Sequence, residues 1–266
     1  TFFVKSVIFI SVIFIISEKT RCTMYRHIDE YHLKYTDVDA FDNLKLSSLL
    51  SFLEESSCLS ADELGFGFYN LAPAHKGFIV VNWYIELFRN IRLGDVLSVH
   101  TWPLKPKHLI FLRDFELYCG SEKVGVCTAR WCMIDTDKFV PVAASTFFSE
   151  DFFDNCNTER SIDFRDWKIP AVSTGNFCYS KTVTYSDYDH YFHVNNTKYA
   201  DFMFDVFSVD ELRGKSMRSV QITYVKQCKE GEKIDFFKEK KDGCCLVEGK
   251  VEGETRVQMR IAFNGI

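Results

Sequence analysis

The residues best suited to chemistry lie in one stretch, Tyr185 to Met203, which reads Y-S-D-Y-D-H-Y-F-H-V-N-N-T-K-Y-A-D-F-M. Its two histidines and its first aspartates precede apolar residues at helical spacing, which are Tyr199, Phe202, Met203, Val206 and Val209. Asn195 or Asn196 is expected to cap that helix. Because a helix N-terminus carries unpaired N–H groups and a partial positive charge, polar groups just before it lie in a prepared site. Asp189 and His193 are therefore the first candidates for acid–base chemistry.

An earlier stretch, Tyr35 to Leu53, repeats the same order of residue types. Written above the later one, it aligns Asp39 with Asp189, and the two helix patterns then begin at matching positions. The copies differ where chemistry is expected, because Asn43 stands in the earlier copy where His193 stands in the later one. The earlier copy therefore has no candidate base at this position.

A second pair of similar segments follows the two helix patterns. I-E-L-F-R-N-I-R-L-G-D-V-L begins at Ile85, and I-T-Y-V-K-Q-C-K-E-G-E-K-I begins at Ile222. Their alignment matches Gly94 to Gly231. One such similarity would be weak evidence, but two in the same order imply that the chain contains a duplicated unit.

Each copy predicts one helix followed by several strands. The apolar stripe of the first helix consists of Leu46, Leu49, Leu50 and Leu53. The strand-like runs after it are Phe78 to Phe88, Asp95 to Trp102, Leu109 to Tyr118 and Lys123 to Ile134. Those after the second helix are Ser219 to Cys228, Lys233 to Lys238, Cys244 to Val251 and Thr255 to Phe263. This order predicts α+β units in which a helix lies across an antiparallel sheet.

Composition narrows the class of protein. The chain has 266 residues, 47% of them hydrophobic, which is enough for a substantial core in two modest domains or one large one. Its net charge of -5 argues against a nucleic-acid-binding protein, which is usually basic. The 10 cysteines form no C-x-x-C pair and match no zinc spacing. We therefore expect free thiols in a reducing cytoplasm, with no metal and no other cofactor.

Residues 1–23 require a separate interpretation. They are mostly apolar, with Lys5 near the start, and resemble the core of a signal peptide or a short membrane anchor. Met24, the first methionine, comes immediately before the first unit begins. We interpret residues 1–23 as a translated upstream stretch or an artefact of the gene model, with a targeting or anchor segment as the alternative. Membrane contact is expected only under that alternative.

Several short motifs are similar to those of one family. They are D-x-x-x-H-V-N-N-x-x-Y from Asp189, Y-V-K-Q-C from Tyr224, L-G-F-G from Leu64 and G-D-V-L-S-V-H-T-W from Gly94. With these motifs the chain resembles the acyl-acyl carrier protein thioesterases of plants and bacteria, from about Met24 to its last residue. The resemblance implies an α+β fold of two tandem hotdog units, each a long helix wrapped by an antiparallel sheet, with the sheets joined into one. The expected ranges are 24–142 for the N-terminal hotdog, 143–175 for a linker and 176–266 for the C-terminal hotdog.

The resemblance also implies a catalytic set in the second unit. The family motif reads D-x-N-x-H-V-N-N and is followed in a later strand by a Glu-Cys pair. Asp189, His193 and Cys228 match this set. Tyr191 stands where the family has its Asn, and Gln227 stands where it has its Glu. We predict these five residues as the catalytic set. The residues predicted to bind substrate are Asn195, Asn196 and Trp83.

Thioester hydrolysis requires a base or a nucleophile, together with donors that stabilise the developing oxyanion. His193 is the candidate base, and the helix N-terminus would favour its neutral imidazole. Asp189 would either orient the histidine or act as the base itself. Gln227 cannot take a proton, so it would only orient water. For Cys228, a structural thiol is favoured over a nucleophile paired with His193.

The function implied by the resemblance is hydrolysis of fatty acyl-acyl carrier protein thioesters, which terminates fatty acid synthesis. The partner would be acyl carrier protein, with its phosphopantetheine-linked acyl chain in a pocket lined by the first unit. Two alternatives stay open: an acyl-CoA thioesterase, and a degenerate hotdog that binds acyl groups without efficient turnover. Since a double hotdog already contains the pair that single hotdogs form by dimerising, either a monomer or a homodimer is expected.

Overall fold

The computed structural model describes residues 25–149, 151–154, 156–172, 176–189 and 192–265. The interpretation of residues 1–23 therefore concerns a segment outside the described residues. Within the described ranges, none of the helices combines the length and the apolar composition needed to cross a bilayer.

The first unit consists of one long helix and a set of strands. Its elements are β1 (His27–His32), α1 (Leu46–Glu63), α2 (Phe68–Leu71), β2 (Lys76–Leu87), β3 (Val96–Pro103), β4 (Ile110–Cys119), β5 (Glu122–Asp135) and β6 (Val140–Pro141). A short 3-10 turn, Tyr35–Asp37, lies between β1 and α1, and another, Ala72–Ala74, follows α2.

The second unit repeats this order with a shorter main helix. Its elements are β7 (Asn176–Thr182), α3 (Asn196–Phe204), α4 (Val209–Leu212), β8 (Ser216–Tyr224), β9 (Lys233–Lys241), β10 (Cys244–Val251) and β11 (Glu254–Asn264). A 3-10 turn, Tyr185–Asp187, again precedes the longer helix, and another, Ala144–Thr146, lies between the units.

All of these strands belong to one 11-stranded sheet. Its order is β1-β3-β4-β5-β2-β8-β11-β10-β9-β7, with β6 paired to β5, and every neighbouring pair is antiparallel. The two units meet where β2 pairs with β8. The expected α+β class, with two tandem hotdog units whose sheets join into one, is confirmed.

The pairing of β2 with β8 shows how the units are related. Tyr84 pairs with Gln221, and these residues are counterparts in the duplication, because Ile85 aligns with Ile222. A residue that pairs with its own counterpart in an antiparallel ladder lies on a pseudo-two-fold axis. α1 and α3 also contact each other. Under the pseudo-two-fold relation, α1 lies close to a region of the second unit, and α3 lies close to the corresponding region of the first.

The predicted leucine stripe forms the centre of the core. It consists of Leu46, Leu49, Leu50 and Leu53. All four are buried, and three of them have no exposed surface. Complete burial of a leucine side chain contributes about 1.5–3 kcal/mol, so this face alone holds α1 firmly against the sheet. The same cluster contains Tyr199 and Met203 of α3, so the two units share one core.

The second long helix ends earlier than its apolar pattern predicts. α3 ends at Phe204, so Val206 and Val209 lie beyond it, and Val209 is 60% exposed at the start of α4. The cause is a capping box, in which the side chains of Ser208 and Glu211 each bond to the other's backbone N–H and start a separate helix.

β8 also ends earlier than predicted, at Tyr224. The N–H groups of Val225 and Lys226 both donate to one carbonyl, that of Arg256, at 2.8 and 3.2 Å, which interrupts the ladder. The pair that follows, residues 227 and 228, therefore lies in the loop after the strand, not within it.

Residues 157–172 cross the face of the sheet opposite the helices, whereas Phe148 and Phe153, earlier in the same linker, pack with Ala61 near the end of α1. Arg160 Nε donates to Asp114 Oδ2 on β4 at 2.8 Å, and Gln221 Nε2 on β8 donates to the Asp166 carbonyl at 3.0 Å. The strand residues after Asp114 and Gln221 belong to the core beneath α1 and α3. Residues 157–172 thus connect the first unit to the second across this face.

Candidate active site

The approach to α3 is anchored by Asp187, which is buried. Its Oδ2 accepts hydrogen bonds from the Thr184 backbone N–H at 2.8 Å and from Lys181 Nζ at 2.7 Å. Burial alone would raise the pKa of Asp187, but the bonds from Lys181 and Thr184 outweigh it, and the pKa is lowered. Asp187 therefore acts as a satisfied carboxylate that positions the chain.

Asp189 and His193 lie at the two ends of a tight turn just before α3. The Asp189 N–H donates to the His193 carbonyl at 2.9 Å, and the Phe192 N–H donates to the Asp189 carbonyl at 3.2 Å. Asp189 Oδ1 accepts a further bond from the His193 backbone N–H at 3.3 Å. Phe192 has a φ of 59°, which allows the chain to reverse. The turn therefore places the two candidate residues side by side.

One side of His193 is covered by the first unit. The Phe139 ring lies edge-on to the imidazole, with ring centroids 5.1 Å apart and an interplanar angle of 81°. Phe139 belongs to the turn between β5 and β6 and is 58% exposed. The imidazole is thus half-buried and restricted in its rotation by a residue from the other unit.

The start of α3 is capped by Asn195. Its Oδ1 accepts hydrogen bonds from the Thr197 backbone N–H and from Thr197 Oγ1, both at 2.8 Å. The expectation that an asparagine caps this helix is confirmed, with Asn195 as the cap. Asn196 is the first residue of α3, and its carbonyl accepts a hydrogen bond from Tyr224 Oη at 3.0 Å. The N-terminus of α3 is therefore tied to the end of β8.

A carboxyl group of the first unit reaches this site from α1. Glu54 is partly buried, and its Oε1 is shielded from solvent without a hydrogen-bond partner among the described residues. Its carboxyl group lies within hydrogen-bonding reach of the Asn196 amide and close enough to Asp189 for their charges to interact. Burial and then the charge of Asp189 raise the pKa of Glu54 to about 8, while the Asn196 amide acts in the opposite direction. Glu54 is therefore mostly protonated at neutral pH.

Reasoning from the sequence did not identify Glu54. A signal was present, because Leu46, Leu50 and Glu54 are spaced four residues apart and so lie on one side of α1. An acidic residue that continues an apolar row requires a partner or a function. Its neighbour Glu55, by contrast, is exposed.

The two residues after β8 differ in their surroundings. Gln227 is exposed. Cys228 is buried in the main core, and its backbone N–H donates to Tyr199 Oη at 3.2 Å. Burial raises the pKa of the Cys228 thiol, which disfavours the thiolate that a nucleophile requires. The structure does not bring Gln227 or Cys228 into hydrogen-bonding contact with His193 within the ranges it describes.

Two other predicted site residues stay predictions. Tyr191 lies outside the described residues. Trp83 is fully buried on β2, with its ring 5.5 Å from that of Phe115 and 6.0 Å from that of Trp131. Its Nε1 has no hydrogen-bond partner among the described residues, so it is a polar group in the apolar interior of the first unit.

The groups gathered at the start of α3 are suited to acid–base chemistry. The turn supplies a carboxylate and an imidazole, and α1 supplies a neutral carboxyl group. Among the residues that the structure describes, no group of three or more His, Cys, Asp or Glu side chains could hold a metal ion.

Solved structures with the same fold include two thioesterases. An acyl-ACP thioesterase from Bacteroides thetaiotaomicron is 23% identical, with a TM-score of 0.81 over 90% of this chain and 98% of that chain. A 12:0-ACP thioesterase from Umbellularia californica is 15% identical, with a TM-score of 0.80 over 90% of this chain and 97% of that chain. At these identities the likeness shows the fold.

Two plant proteins are related in sequence. Oleoyl-acyl carrier protein thioesterase 1 of Arabidopsis thaliana, a chloroplastic protein, is 19% identical over 223 residues, or 78% of this chain. The chloroplastic oleoyl-acyl carrier protein thioesterase of Coriandrum sativum is 18% identical over 236 residues, or 83% of this chain. The chain spans 62% of the length of each of these curated relatives.

Family models match the two units separately. The model of the acyl-ACP thioesterase N-terminal domain matches residues 24–145, and that of the acyl-ACP thioesterase C-terminal domain matches residues 175–265. The two matches follow each other in the same order as the two hotdog units and together cover most of the sequence. The chain therefore belongs to the acyl-ACP thioesterase family.

Proposed function

We propose that this chain hydrolyses fatty acyl-acyl carrier protein thioesters to free fatty acid and holo-acyl carrier protein, and so terminates fatty acid synthesis. The observation that carries the proposal is the pairing of Asp189 and His193 on one tight turn at the start of α3. Membership in the acyl-ACP thioesterase family supports the reaction class. The two plant relatives, both oleoyl-acyl carrier protein thioesterases, support the carrier.

In the proposed reaction, a water oxygen attacks the thioester carbonyl carbon. The neutral His193 imidazole takes a proton from that water as the new carbon–oxygen bond forms. Asp189 positions His193 through the hydrogen bonds of the turn. The partial positive charge at the N-terminus of α3 favours the negative charge that develops on the carbonyl oxygen. The carbon–sulfur bond then breaks, and the thiolate of the phosphopantetheine arm takes the proton from His193.

Gln227 and Cys228 have no chemical step in this proposal. The Gln227 amide cannot accept a proton, and its exposure leaves it in contact with solvent. The buried Cys228 thiol packs in the core. Asn196 and Trp83 are proposed to contact the substrate, and Asn195 to hold the helix terminus that faces it.

The test is fatty acid release by the full chain from acyl carrier protein and coenzyme A thioesters of the same acyl group. The wild-type chain should turn over the carrier protein thioester, and His193→Ala should lower kcat by about 10²–10⁴-fold through loss of the base. His32→Ala is the matched control, because His32 is an exposed histidine at the end of β1, and it should keep wild-type activity.

Other outcomes would replace parts of the proposal. Faster hydrolysis of the coenzyme A thioester would show that coenzyme A is the carrier, and the proposed hydrolysis reaction would stand. A wild-type chain that is inert, but gains activity as Gln227→Glu, would instead be an acyl-binding hotdog that has lost turnover.

A further inference from the structure

The duplication gives the molecule two comparable sites, one beside each turn. α1 approaches the turn that contains His193, and α3 approaches the turn that contains Asn43. In the alignment, Phe204 of α3 stands where α1 has Glu54. The two sites therefore share a backbone plan, but at this one aligned position the opposite helix carries a phenylalanine in one site and a glutamate in the other.

The site beside Asn43 has apolar groups where the helix meets the turn. Phe204, Phe207 and Leu46 contribute to the lining of a cleft of about 400 Å³ there, together with the carboxylates of Asp201 and Asp205. Asn43 Oδ1 accepts a hydrogen bond from Asn90 Nδ2 at 2.8 Å, so its amide is already engaged within the first unit. The site beside Asn43 therefore serves as a comparison in which the same turn carries no candidate base.

The site beside His193 has polar groups at the corresponding places. Asn196 stands where the other helix has Leu46, and its amide lies within reach of Glu54. Tyr224 is close enough to Glu54 that burial, and next that carboxyl group, raise the pKa of the tyrosine. Glu54 Oε1 nevertheless has no hydrogen-bond partner among the described residues. Because an unpartnered buried oxygen reduces stability, its position beside Asp189 indicates a role with a bound molecule.

We propose that Glu54 is a catalytic residue, supplied by the first unit to the site of the second. This inference rests on the proposed hydrolase function. The neutral carboxyl group of Glu54 donates a hydrogen bond to the carbonyl oxygen of the bound thioester. When water attacks the carbonyl carbon, the π electrons of the carbonyl move onto that oxygen, and the hydrogen bond stabilises the resulting negative charge.

The rest of the step balances without a change at Glu54. The proton of the attacking water goes to the base of the turn. The oxyanion then reforms the carbonyl as the carbon–sulfur bond breaks, and the thiolate takes the proton from that base. Glu54 keeps its own proton throughout. A carboxyl group thus enters the site from α1, although Gln227 replaces the carboxyl residue expected after β8.

The role requires a protonated Glu54. The titratable groups that face it are Asp189 from the turn, Tyr224 from β8 and Cys58 from the next turn of α1. None of these three is cationic, and Asp189 disfavours a second negative charge beside it. With a pKa of about 8, the donor form is present below that pH and is lost as the pH rises through it. Activity should therefore fall on the alkaline side.

The test measures kcat/KM for an acyl carrier protein thioester from about pH 6 to about pH 10, in the full chain. Wild type and Glu55→Gln, a control at the exposed neighbouring carboxylate, should both lose activity above about pH 8. Glu54→Ala, which removes the donor, should lower kcat/KM at neutral pH by about 10²–10³-fold. Glu54→Gln keeps an N–H donor that does not ionise. Its kcat/KM at neutral pH should lie between those of wild type and Glu54→Ala, and it should show no loss of activity at alkaline pH.

The outcomes separate this inference from the proposed function. If wild type is active and Glu54→Gln keeps both its kcat/KM and its alkaline decline, Glu54 is not catalytic and the hydrolase proposal stands. A loss in Glu54→Gln that is equal at every pH assigns the residue a structural role and also overturns the inference. An inert wild type overturns the hydrolase proposal and this inference with it. Cooperative melting of each variant shows that it is folded.

Discussion

The two turns that precede α1 and α3 share several backbone hydrogen bonds among their described residues but differ in chemistry. The Asp39 N–H donates to the Asn43 carbonyl at 2.8 Å, as the Asp189 N–H donates to the His193 carbonyl at 2.9 Å. In both, the aspartate Oδ1 accepts from the N–H four residues later, at 3.0 and 3.3 Å. Asp42 in the first turn and Phe192 in the second both have a positive φ, of 60° and 59°. The hotdog architecture thus produces the turn whether or not it carries a base.

What differs is how each turn is joined to the segment after the next strand. In the first unit, the Leu44 N–H donates to the Ile91 carbonyl at 2.8 Å, and the Asn90 side chain donates to Asn43. Gln227 is the counterpart of Asn90, yet it is exposed. Among the described residues, no backbone hydrogen bond joins residues 192–195 to residues 226–230. The first turn is closed onto its own unit, whereas the second leaves its histidine accessible beside α1.

Making the second turn resemble the first should have the largest effect. His193→Asn, which installs the residue found at Asn43, should lower kcat by about 10²–10⁴-fold because the amide cannot act as a base. Steady-state hydrolysis of an acyl carrier protein thioester measures it. The melting temperature should change little, since Asn43 forms the same turn in the first unit. Retention of wild-type kcat would show that the difference between the turns is not catalytic.

Removing the aspartate that precedes the turn should destabilise the protein more in the second unit than in the first. Asp187→Ala should cost about 1–3 kcal/mol, because it leaves Lys181 and the Thr184 N–H without their partner. Asp37→Ala should cost less, since Asp37 is less buried. The lowered pKa of Asp187 means that its contribution is present above the unfolded pKa and is lost as the pH falls through the folded value. Chemical denaturation at neutral and acidic pH measures both effects. Equal costs in the two units would contradict this expectation.

The carboxyl group on α1 should reduce stability in a pH-dependent way. The raised pKa of Glu54 means that the folded state is favoured below the unfolded pKa, and that this advantage is lost as the pH rises through about 8. Glu54→Gln should therefore melt at a higher temperature than wild type at alkaline pH, with a gain of about 1–2 kcal/mol. The difference should shrink toward pH 4. Thermal melts across this range, with Glu55→Gln as control, measure it, and a pH-independent difference would argue against a buried carboxyl group.

The smallest effect is expected at the ring that covers His193. Phe139→Ala removes the edge-on contact and lets the imidazole rotate, which should lower kcat by less than about tenfold. Phe147→Ala, at another exposed phenylalanine in the linker between the units, is the control. A loss as large as that of His193→Asn would mean that the ring takes part in the site more directly than its contact implies.

Features encoded in contiguous residues could be predicted from the sequence. The leucine stripe of α1 and the Asn195 cap follow from local spacing and capping chemistry. The early end of α3 could also have been predicted, because Ser208 and Glu211 form an S-x-x-E capping box that starts a new helix.

Features that depend on residues far away in the sequence could not be predicted in the same way. Glu54 belongs to the site only because the pseudo-two-fold arrangement carries α1 to the turn before α3. The end of β8 depends on the Arg256 carbonyl, which a neighbouring strand supplies. A single sequence shows neither partner, so both required the folded chain.

The most direct measurement makes one isosteric change in both turns, Asp189→Asn and Asp39→Asn, and follows fatty acid release from an acyl carrier protein thioester. Detection of the fatty acid by mass spectrometry avoids thiol reagents, which would also modify exposed cysteines such as Cys58. We predict that Asp39→Asn keeps nearly wild-type activity and that Asp189→Asn loses about 10²-fold. Equal losses in the two variants, or no loss in either, would contradict the assignment of the chemistry to the second turn.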